Sequence, residues 1–379
     1  MSLALEVFPS MQACEPLRAE WEELLHGCPN ATVFDSFGWI NANVLAFTNS
    51  ETWILTLRDA GSALTGVIPL VVRLGRRYLR ARRWLEFAGQ PYADYASCLV
   101  RTGYEEPVAH QLIEFCCSKA GGWDGVFLDR LRVGTAFLDC VVAAAKQRGL
   151  HAATRETDHV RQLTRREFTG ASAHRHSGKS LRKSRNRLLE RGEIGFEVLT
   201  SAEAILRLLE KFFSWHAGRF AAKGMQSPLS DPQHRAFYRH MVEQLAPQGR
   251  IWLSALTCGG DVIAMKLSPV FNGMLHLYST CFDEAYAKYS PSMLQLEMLI
   301  EHAFRSGIEC VDFGIGESPQ KDYGGASLGQ TLASVAIYRD RIALLEGRGY
   351  ESAERMRSHS RLITRGGKFL RRIFPYDVR

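Results

Sequence analysis

The sequence lacks any long apolar run, and no segment approaches the roughly 20 residues that a membrane-spanning helix needs. It also lacks a signal-peptide start, because Glu6, Pro9 and Glu15 interrupt the first residues before an apolar segment forms. The composition, 46% hydrophobic and 23% charged, is typical of a soluble globular protein. We therefore expect a cytoplasmic protein.

Paired metal-binding or disulfide-forming cysteines are missing as well. The nine cysteines are odd in number and include no C-x-x-C pair, which argues against a disulfide framework and against a zinc ribbon. His174 and His176 form an H-x-H pair without a neighbouring acid or cysteine cluster, so we predict no metal site. A G-x-S-x-G elbow is absent, and no cysteine has the local signature of a nucleophile. These absences disfavour covalent catalysis.

Charge is present but unevenly spread. Of the net charge of +7, residues 161–191 carry +8 and residues 355–379 carry +7, so the rest of the chain carries 7 − 15 = −8. Two basic segments on an acidic body indicate anionic partners such as phosphates, acidic polymers, lipids or nucleic acid. The alternative is that both segments are solvated helix faces.

The two halves of the 379 residues repeat the same order of predicted elements, and the length suits two domains. Residues 53–57 and 64–72 read as a β-hairpin, and residues 251–257 and 262–270 read as a second one. In each half the hairpin is followed by a strand, a helix ended by glycine and a short strand ended by aspartate. The predicted segments are 94–100, 105–120 and 125–129 in the first half, and 274–280, 290–306 and 308–312 in the second. Such a repeat predicts a mixed α/β fold built by duplication.

Between the halves, residues 156–177 lose apolar periodicity and gather polar residues, Gly and Ser, which indicates a boundary. A basic helix is predicted over 179–191, followed by a strand at 196–200. Ser201 then begins a helix with apolar residues at helical spacing.

The second half resembles the GNAT acyltransferase superfamily, specifically the branch of CelD-like cellulose and exopolysaccharide biosynthesis proteins. The matching stretches are "SLRKSRNRLLERG", "FFSWHAGRFAAKG", "GRIWLSALTCGGDVIAMKLS" and "KYSPSMLQLEMLIEHAFRSGIECVDFGIGESPQK". The first half resembles the same branch through "FDSFGWINANVLAF", "GVIPLVV" and "FAGQPYADYASCLV". Where the family usually has Tyr-Lys after the glycines, this chain has Gln320-Lys321. The tandem arrangement is similar to that of Fem-type aminoacyltransferases.

The resemblance implies an α/β fold of two tandem GNAT-like domains. We expect residues 1–160 to form a non-catalytic first domain, 161–192 a basic linker and helix, 193–345 the acyltransferase domain, and 346–379 a basic helical tail. The tail mixes arginines with apolar residues, a pattern compatible with peripheral contact to an anionic membrane, although Gly366-Gly367 interrupts it.

The resemblance also implies that acyl-CoA, the co-substrate, places its pyrophosphate at the helix that opens on Ser290-Pro291-Ser292. Pro291 suits the first helical position and Ser290 the N-cap. The next amides, from Ser292 and Met293 onward, are expected to point outward at the positive end of the helix dipole, with Lys288 adding a charge. The alternative is an ordinary capped helix.

Acyl transfer needs a proton acceptor and a donor to the leaving thiolate. Asp312, at the C-terminal end of a strand, is the candidate acceptor, and the alternative is that it caps the following turn. Tyr278 is the candidate proton donor, or else a core residue. The other copy continues after Asp129 without paired glycines, so we expect the second half to carry the active site.

Four residues are candidates for binding the acceptor. Trp215 and Arg219 share a helix face at i, i+4 spacing, which suits a sugar ring and an anionic group, or simply packing. Glu317 and Lys321 follow Gly314 and Gly316, and either orient the acceptor or are surface charges.

The sequence leaves three hypotheses open. The first is transfer of an acyl group from acyl-CoA to an amino or hydroxyl group of a cell-envelope sugar or related small molecule. The second is transfer from aminoacyl-tRNA, which the tandem domains and the basic helix favour. The third is a non-catalytic binding subunit in polysaccharide assembly; a nucleic-acid module is disfavoured because the basic helix has no interleaved aromatics.

Overall fold

The computed structural model describes residues 3–47, 50–75, 82–96, 98–118, 122–170, 178–316, 326–339, 341 and 344–345. The chain forms two compact units, Met1–His159 with Gln330–Arg379, and Val160–Gly329. Among the described residues, no helix combines the length and the apolar character that crossing a bilayer demands.

The first unit is a mixed sheet with helices packed on it. Its strands are β1 (Ala4–Phe8), β2 (Glu51–Arg58), β3 (Leu64–Gly75), β4 (Arg82–Phe87), β5 (Leu99–Val100), β6 (Gly125–Arg132), the first part of β7 (His151–Thr164) and most of β14 (Ser327–Tyr338). Its helices are α1 (Arg18–Gly27), α2 (Phe37–Ala46), α3 (Glu105–Cys117) and α4 (Ala136–Gln147). The strand order is β1-β2-β3-β4-β6-β14. The β4–β6 pair is parallel, and the other neighbouring pairs in this order are antiparallel.

The predicted hairpin of the first unit is confirmed, since β2 and β3 pair antiparallel from Glu51 with Val72 to Arg58 with Leu64. The predicted strand at 94–100 is wrong for most of its length, because only Leu99 and Val100 pair, with β3. The strand beside β3 is instead β4, which the sequence analysis missed. Apolar residues of α3 and α4 pack on the sheet to form the core.

The second unit repeats this plan. Its helices are α5 (Arg165–Gly170), α6 (Lys179–Leu189), α7 (Ala202–Ala221), α8 (Pro232–Leu245) and α9 (Pro291–Arg305). Its strands are β8 (Ile194–Leu199), β9 (Ile251–Cys258), β10 (Asp261–Phe271), β11 (Met274–His276), β12 (Ser279–Phe282) and β13 (Cys310–Asp312), together with the last residues of β7. The order is β7-β13-β11-β10-β9-β8, with β12 also paired to β10.

The predicted hairpin of the second unit is confirmed by the β9–β10 pairing. The basic helix is confirmed as α6, and Ser201 caps α7 by accepting a hydrogen bond from the amide of Ala204. The third strand, predicted as one segment, is interrupted at residues 277–278. The stretch 156–177 was predicted to contain a boundary, and the two compact units do divide there, between His159 and Val160. Its first part lies in β7 and continues into α5. Strand β7 is polar and mostly half-exposed, so its sequence has no apolar alternation to reveal it.

Helix α9 is attached to the sheet through both apolar and polar contacts. Leu296, Leu299 and Ile300 pack with Leu275 and Val311 in the core. The buried amide of Gln295 donates to the carbonyl oxygen of Ser254 at 2.8 Å and to its hydroxyl at 3.2 Å. Gly307, with φ 92°, ends the helix region as predicted.

Candidate active site

Two neighbouring strands of the second unit part at Asp312. β11 and β13 run parallel, with Leu275 opposite Val311 and His276 opposite Asp312, and the amide of Leu277 donates to the carbonyl of Asp312 at 2.8 Å. Beyond this point the chain after β11 forms β12, which pairs with β10. The chain after β13 instead turns to β7, where the amide of Phe313 donates to the carbonyl oxygen of Arg161. We call this separation of the two strands the fork. In open α/β sheets, ligands bind at strand ends where neighbouring strands separate in this way.

Asp312 lies at the base of the fork and is fully buried. Its Oδ1 accepts a hydrogen bond from the amide of Gly314 at 2.7 Å, and its Oδ2 accepts one from Nε2 of Gln162 at 2.9 Å. Nδ1 of the buried His276 is 3.9 Å from Oδ1. Gly314 has φ 66°, a conformation that favours glycine. The carboxylate thus caps the turn after β13, as the alternative interpretation of the sequence expected.

The start of α9 differs in detail from the sequence expectation. Ser290 holds the N-cap position but has φ 54° and ψ 48°, and its side chain makes no capping hydrogen bond. The expectation of an outward amide at Met293 is wrong, because that amide donates to the carbonyl of Ser290 at 3.0 Å. Pro291 has no amide hydrogen, and the amide of Ser292 has no hydrogen-bond partner in the described part of the chain.

Basic side chains stand beside this helix start. The segment before it is a 3₁₀ helix, Glu284–Tyr289, so the approach is not a glycine-rich turn. Lys288 is exposed, with Nζ 5.1 Å from the ring centroid of the buried Tyr289. Arg187 of α6 is also exposed, with Cζ 5.5 Å from the same centroid. Two cations therefore flank one aromatic ring next to the α9 N-terminus.

Arg219 and Trp215, predicted to share a helix face, both lie on α7 and are half-buried. Arg219 donates from Nη1 to the carbonyl of Thr280 in β12 at 2.9 Å, and its Cζ is 4.5 Å from the ring centroid of Phe282. Nζ of Lys211 is 4.7 Å from the ring centroid of Trp215. Arg219 is therefore attached to the strand that leaves the fork.

Tyr278 is half-buried in the break between β11 and β12, and its ring centroid is 6.0 Å from that of Tyr238 in α8. It follows His276 by two residues, so it lies at the fork. Tyr278 thus lies between β11 and β12, Arg219 is hydrogen-bonded to β12, and Asp312 ends β13, which pairs with β11. Glu317 and Lys321 lie outside the described residues, as does the basic tail at 346–379.

Sequence reasoning missed two polar groups of this unit. Lys266 on β10 is 2% exposed and pairs in register with Thr280. Burial lowers the pKa of Lys266 to about 7, and the nearby Arg219 adds to this effect. The signal was a single charge inside the apolar run 262–270. The second group, His216 with Ser227, joins residues of different elements and gives no local sequence pattern.

The corresponding place in the first unit is occupied by an arginine. Arg130, directly after Asp129, is 4% exposed and has φ 60°. Its Nη1 donates to the carbonyl oxygens of Pro91, at 2.9 Å, and Ala93, and its own carbonyl accepts from the amide of Ala96. The loop 91–96 is thereby tied to β6, which continues to Arg132 and does not end at Asp129 as the sequence predicted, whereas β13 does end at Asp312.

Comparisons with known proteins agree with this architecture. Residues 172–323 match a family profile described as an acetyltransferase (GNAT) domain. No curated protein matches the chain. Its fold is similar to that of FemX, with a TM-score of 0.60 and 10% identity over 89% of this chain and 97% of FemX.

Two further solved structures share the fold. One is a conserved protein of unknown function from Bacteroides thetaiotaomicron, with a TM-score of 0.56 and 12% identity over 85% of this chain and 97% of that one. The other is L-PGS from Bacillus licheniformis, with a TM-score of 0.51 and 12% identity over 90% and 97%. Identities this low show the fold alone. The predicted fold class, a mixed α/β protein of two GNAT-like units, is confirmed, and the domain match supports an acyltransferase that uses an acyl-CoA co-substrate.

Proposed function

We propose that the second unit transfers an acyl group, acetyl or longer, from acyl-CoA to an amino or hydroxyl group of a cell-envelope or exopolysaccharide sugar or a related small molecule. The observation that carries the proposal is the fork at Asp312, with the start of α9 and two cations beside it, inside the segment that matches the GNAT domain. The choice of a sugar acceptor is supported by the resemblance of the sequence motifs to CelD-like proteins.

The donor-binding residues proposed are Lys288, Ser290, Pro291, Ser292 and Met293. The amide of Ser292 points from the positive end of the α9 dipole, where an anion gains roughly 0.3 to 1 kcal/mol at an exposed site. Lys288 adds an exposed cation next to this amide. Met293 contributes through its side chain and position rather than through its amide, which is already bonded to Ser290.

The reaction requires no covalent intermediate with the protein. The acceptor nitrogen or oxygen attacks the thioester carbonyl carbon and the C–S bond breaks. The acceptor's own proton passes to solvent water, and the released thiolate takes a proton. We propose that the hydroxyl of Tyr278, a half-buried residue between β11 and β12, supplies that proton and recovers one from water. Trp215 and Arg219 form the proposed acceptor face, and Glu317 and Lys321, which lie outside the described residues, stay predicted acceptor contacts.

Asp312 remains the proposed polar centre of the site, but its burial favours a positioning role. Both carboxylate oxygens accept hydrogen bonds, from Gly314 and from Gln162, and neither is exposed. A general base must lie within hydrogen-bond distance of the acceptor's proton. The carboxylate of Asp312 is instead hydrogen-bonded to the amide of Gly314. We therefore propose that Asp312 holds that turn and the adjacent His276 in place.

The test is CoA-thiol release when the purified protein is incubated with acetyl-CoA and amino sugars. We expect release with the wild-type protein and a loss of about 10-fold in kcat with Asp312→Asn, because the amide can still accept from Gly314 but no longer carries a charge. Loss of several thousand-fold at unchanged stability would indicate direct proton transfer by Asp312 instead. No thiol release by the wild-type protein from any acyl-CoA would overturn the proposed function.

A second candidate, an aminoacyl-tRNA donor, is favoured by the exposed cations of α6. Lys179, Arg182, Lys183, Arg185 and Arg187 are exposed, and none forms an ion pair with an acidic residue within the described ranges. Sensitivity of the transfer to ribonuclease separates this candidate from acyl-CoA transfer. In either case we propose that catalysis belongs to the second unit, which contains residues 193–329 of the predicted domain 193–345, and that residues 1–160 are non-catalytic. The hydrogen bonds of Arg130 next to Asp129 support this.

A further inference from the structure

A histidine and a serine from different elements form a pair on the acceptor side of α7. Nδ1 of His216 is 2.8 Å from Oγ of Ser227, which begins the short 3₁₀ helix Pro228–Ser230. Ser227 is 3% exposed, and its Oγ also accepts a hydrogen bond from the amide of Leu229 at 3.0 Å. The serine is therefore fixed from both sides.

The protons of this pair determine the tautomer of the imidazole. Oγ of Ser227 already accepts from Leu229, and the ring nitrogen of His216 is the acceptor available to its buried hydroxyl hydrogen. A buried hydroxyl that donates to no acceptor is costly, so Ser227 donates to Nδ1. In a neutral imidazole the hydrogen then resides on Nε2.

The ring environment keeps His216 uncharged. The imidazole stacks on Phe220 with centroids 4.6 Å apart and an angle of 21°, and on its other side lies Phe212. Burial lowers the pKa of His216 to about 4, and the nearby Arg219 and Lys223 contribute to this lowering. The charged groups that act on it are both on α7 or its end, while Ser227 from the facing turn is neutral.

The other ring nitrogen, Nε2, takes no part in these contacts. It makes no hydrogen bond with any of the described residues, and it is not among the fully buried polar atoms of the half-buried ring. His216 precedes Arg219 by three residues, so both side chains project from neighbouring positions on one helix face. An aromatic series connects this face to the fork, from Phe212 through Tyr238 to Tyr278.

We propose that Nε2–H of His216 donates a hydrogen bond to an anionic oxygen, of a carboxylate or phosphate, on the acceptor that Arg219 also contacts. This assignment rests on the proposed transfer activity and names His216 as a specificity-determining residue. The two side chains can donate to one anionic group from neighbouring positions on the helix. Arginine offers several N–H donors in one plane, and the neutral imidazole offers a single N–H. An acceptor without the anionic oxygen leaves Arg219 and His216 unmatched.

The first measurement does not depend on catalysis. With ¹⁵N-labelled histidine, the His216 signal, assigned by its absence in His216→Gln, should show the Nε2–H tautomer from pH 5 to pH 8. Titration with inorganic phosphate, and separately with acetate, should move that signal, and the tighter of the two indicates which group is preferred. A protonated ring at pH 6, the Nδ1–H tautomer, or a signal that neither anion moves would overturn the proposal.

Variants separate the hydrogen bond from packing. His216→Phe keeps a ring against Phe220 and should weaken anion binding by about 10-fold to 100-fold, the range for a hydrogen bond to a charged group. His216→Gln retains an N–H near the same place and should bind within about 5-fold of wild type. Ser227→Ala should admit the second tautomer and weaken binding several-fold. Equal binding by His216→Phe would contradict the proposal.

Steady-state kinetics then connect the pair to the reaction. With an amino sugar phosphate as acceptor, His216→Phe should raise the KM for the acceptor and leave the KM for acetyl-CoA unchanged. With the same amino sugar lacking the phosphate, the KM for the acceptor should differ little between wild type and variant. Absence of thiol release by the wild-type protein would remove the proposed function, yet the phosphate titration would still decide whether His216 binds anions.

Discussion

At the scale of single residues, the two units differ most clearly in the backbone just after Asp312, where β13 ends, and just after Asp129, which lies inside β6. In the second unit Gly314, at φ 66°, turns the chain and leaves its amide to Asp312. In the first unit Arg130 takes the left-handed conformation at φ 60°, which is unfavourable for a residue with a side chain. The hydrogen bonds from its guanidinium to Pro91 and Ala93 offset that cost. In the first unit these hydrogen bonds hold the loop 91–96 against β6, whereas in the second unit the strands separate at Asp312.

Replacing this arginine should reduce stability without reducing activity. Arg130→Met leaves buried carbonyl oxygens of the loop 91–96 without a donor, and we expect the free energy of unfolding to fall by about 1 to 3 kcal/mol. The measurement is urea denaturation, with Arg148→Met as the control. Arg148 forms an exposed ion pair with Glu114, worth about 0 to 1 kcal/mol. Unchanged stability combined with lost acyl transfer would instead place Arg130 in the active site.

At the scale of secondary-structure elements, the start of α9 allows stability and affinity to be moved in opposite directions. An aspartate at position 292 faces the positive end of the helix dipole and should stabilise the protein by about 0.3 to 1 kcal/mol. The same charge repels the phosphates of the proposed donor. Ser292→Asp should therefore raise the melting temperature slightly while it raises the KM for acetyl-CoA by roughly 10-fold or more.

The matched control is Ser292→Asn, which has the same shape and no charge. It should leave both the melting temperature and the KM for acetyl-CoA close to the wild-type values. If the aspartate variant gains stability but binds acetyl-CoA as well as wild type, the phosphates do not lie at this helix end. If both substitutions raise the KM equally, side-chain size rather than charge is responsible.

The strands show which elements a single sequence reveals. β2, β3, β9 and β10 carry apolar residues on both sides of a glycine-containing turn, and the sequence predicted all four. β4 was missed because its apolar residues follow a run of arginines, and the apolar stretch 94–100 was taken as the strand beside β3 instead. β7 was missed because a mostly half-exposed strand needs no apolar alternation.

The candidate site likewise contains residues whose position the sequence could predict and residues whose position it could not. Asp312 and Arg219 could be predicted, because each depends on one local feature, a strand end or a helical spacing. The partners that determine what they do come from other elements, such as Gln162 on β7 and Thr280 on β12. The His216–Ser227 pair was not predictable for the same reason, since only the folded chain brings a helix residue and a loop serine to 2.8 Å.

At the scale of the whole molecule, the buried Lys266 couples unfolding to pH. The pKa of Lys266 is about 7 in the folded protein against an ordinary value of 10.5 for lysine, and burial is the main cause. Between these values the unfolded chain holds a proton that the folded protein has lost, so the stability due to this group rises with pH. Below pH 7 both states are protonated and the dependence ends.

Lys266→Met removes this titration. The stability of the wild-type protein minus that of the variant should increase from pH 7.5 to pH 9.5, by at most about 1.4 kcal/mol per pH unit. The measurement is the free energy of unfolding of both proteins at several pH values in one buffer series. A difference that stays constant over this range would show that Lys266 keeps its ordinary pKa in the folded protein.

The net charge of the molecule offers the sharpest separation between the two donors. Replacing Lys179, Arg182 and Lys183 by glutamine takes the formal charge from +7 to 7 − 3 = +4. It leaves in place Arg185, which lines a pocket with Leu294 and Glu297 of α9, and Arg187, beside Tyr289. If acyl-CoA is the donor, the KM for acetyl-CoA should change by less than about 2-fold, because a short-range site depends little on distant exposed charges at physiological salt. If RNA is the donor, each lost phosphate contact reduces the salt dependence, by about 0.7 to 0.9 per contact in the slope of log affinity against log salt. Two measurements on the wild-type protein and the variant decide between the donors: filter binding of unacylated tRNA between about 50 and 200 mM salt, and CoA-thiol release. Our proposal requires that the variant keeps its thiol release. It fails if transfer activity falls together with tRNA affinity.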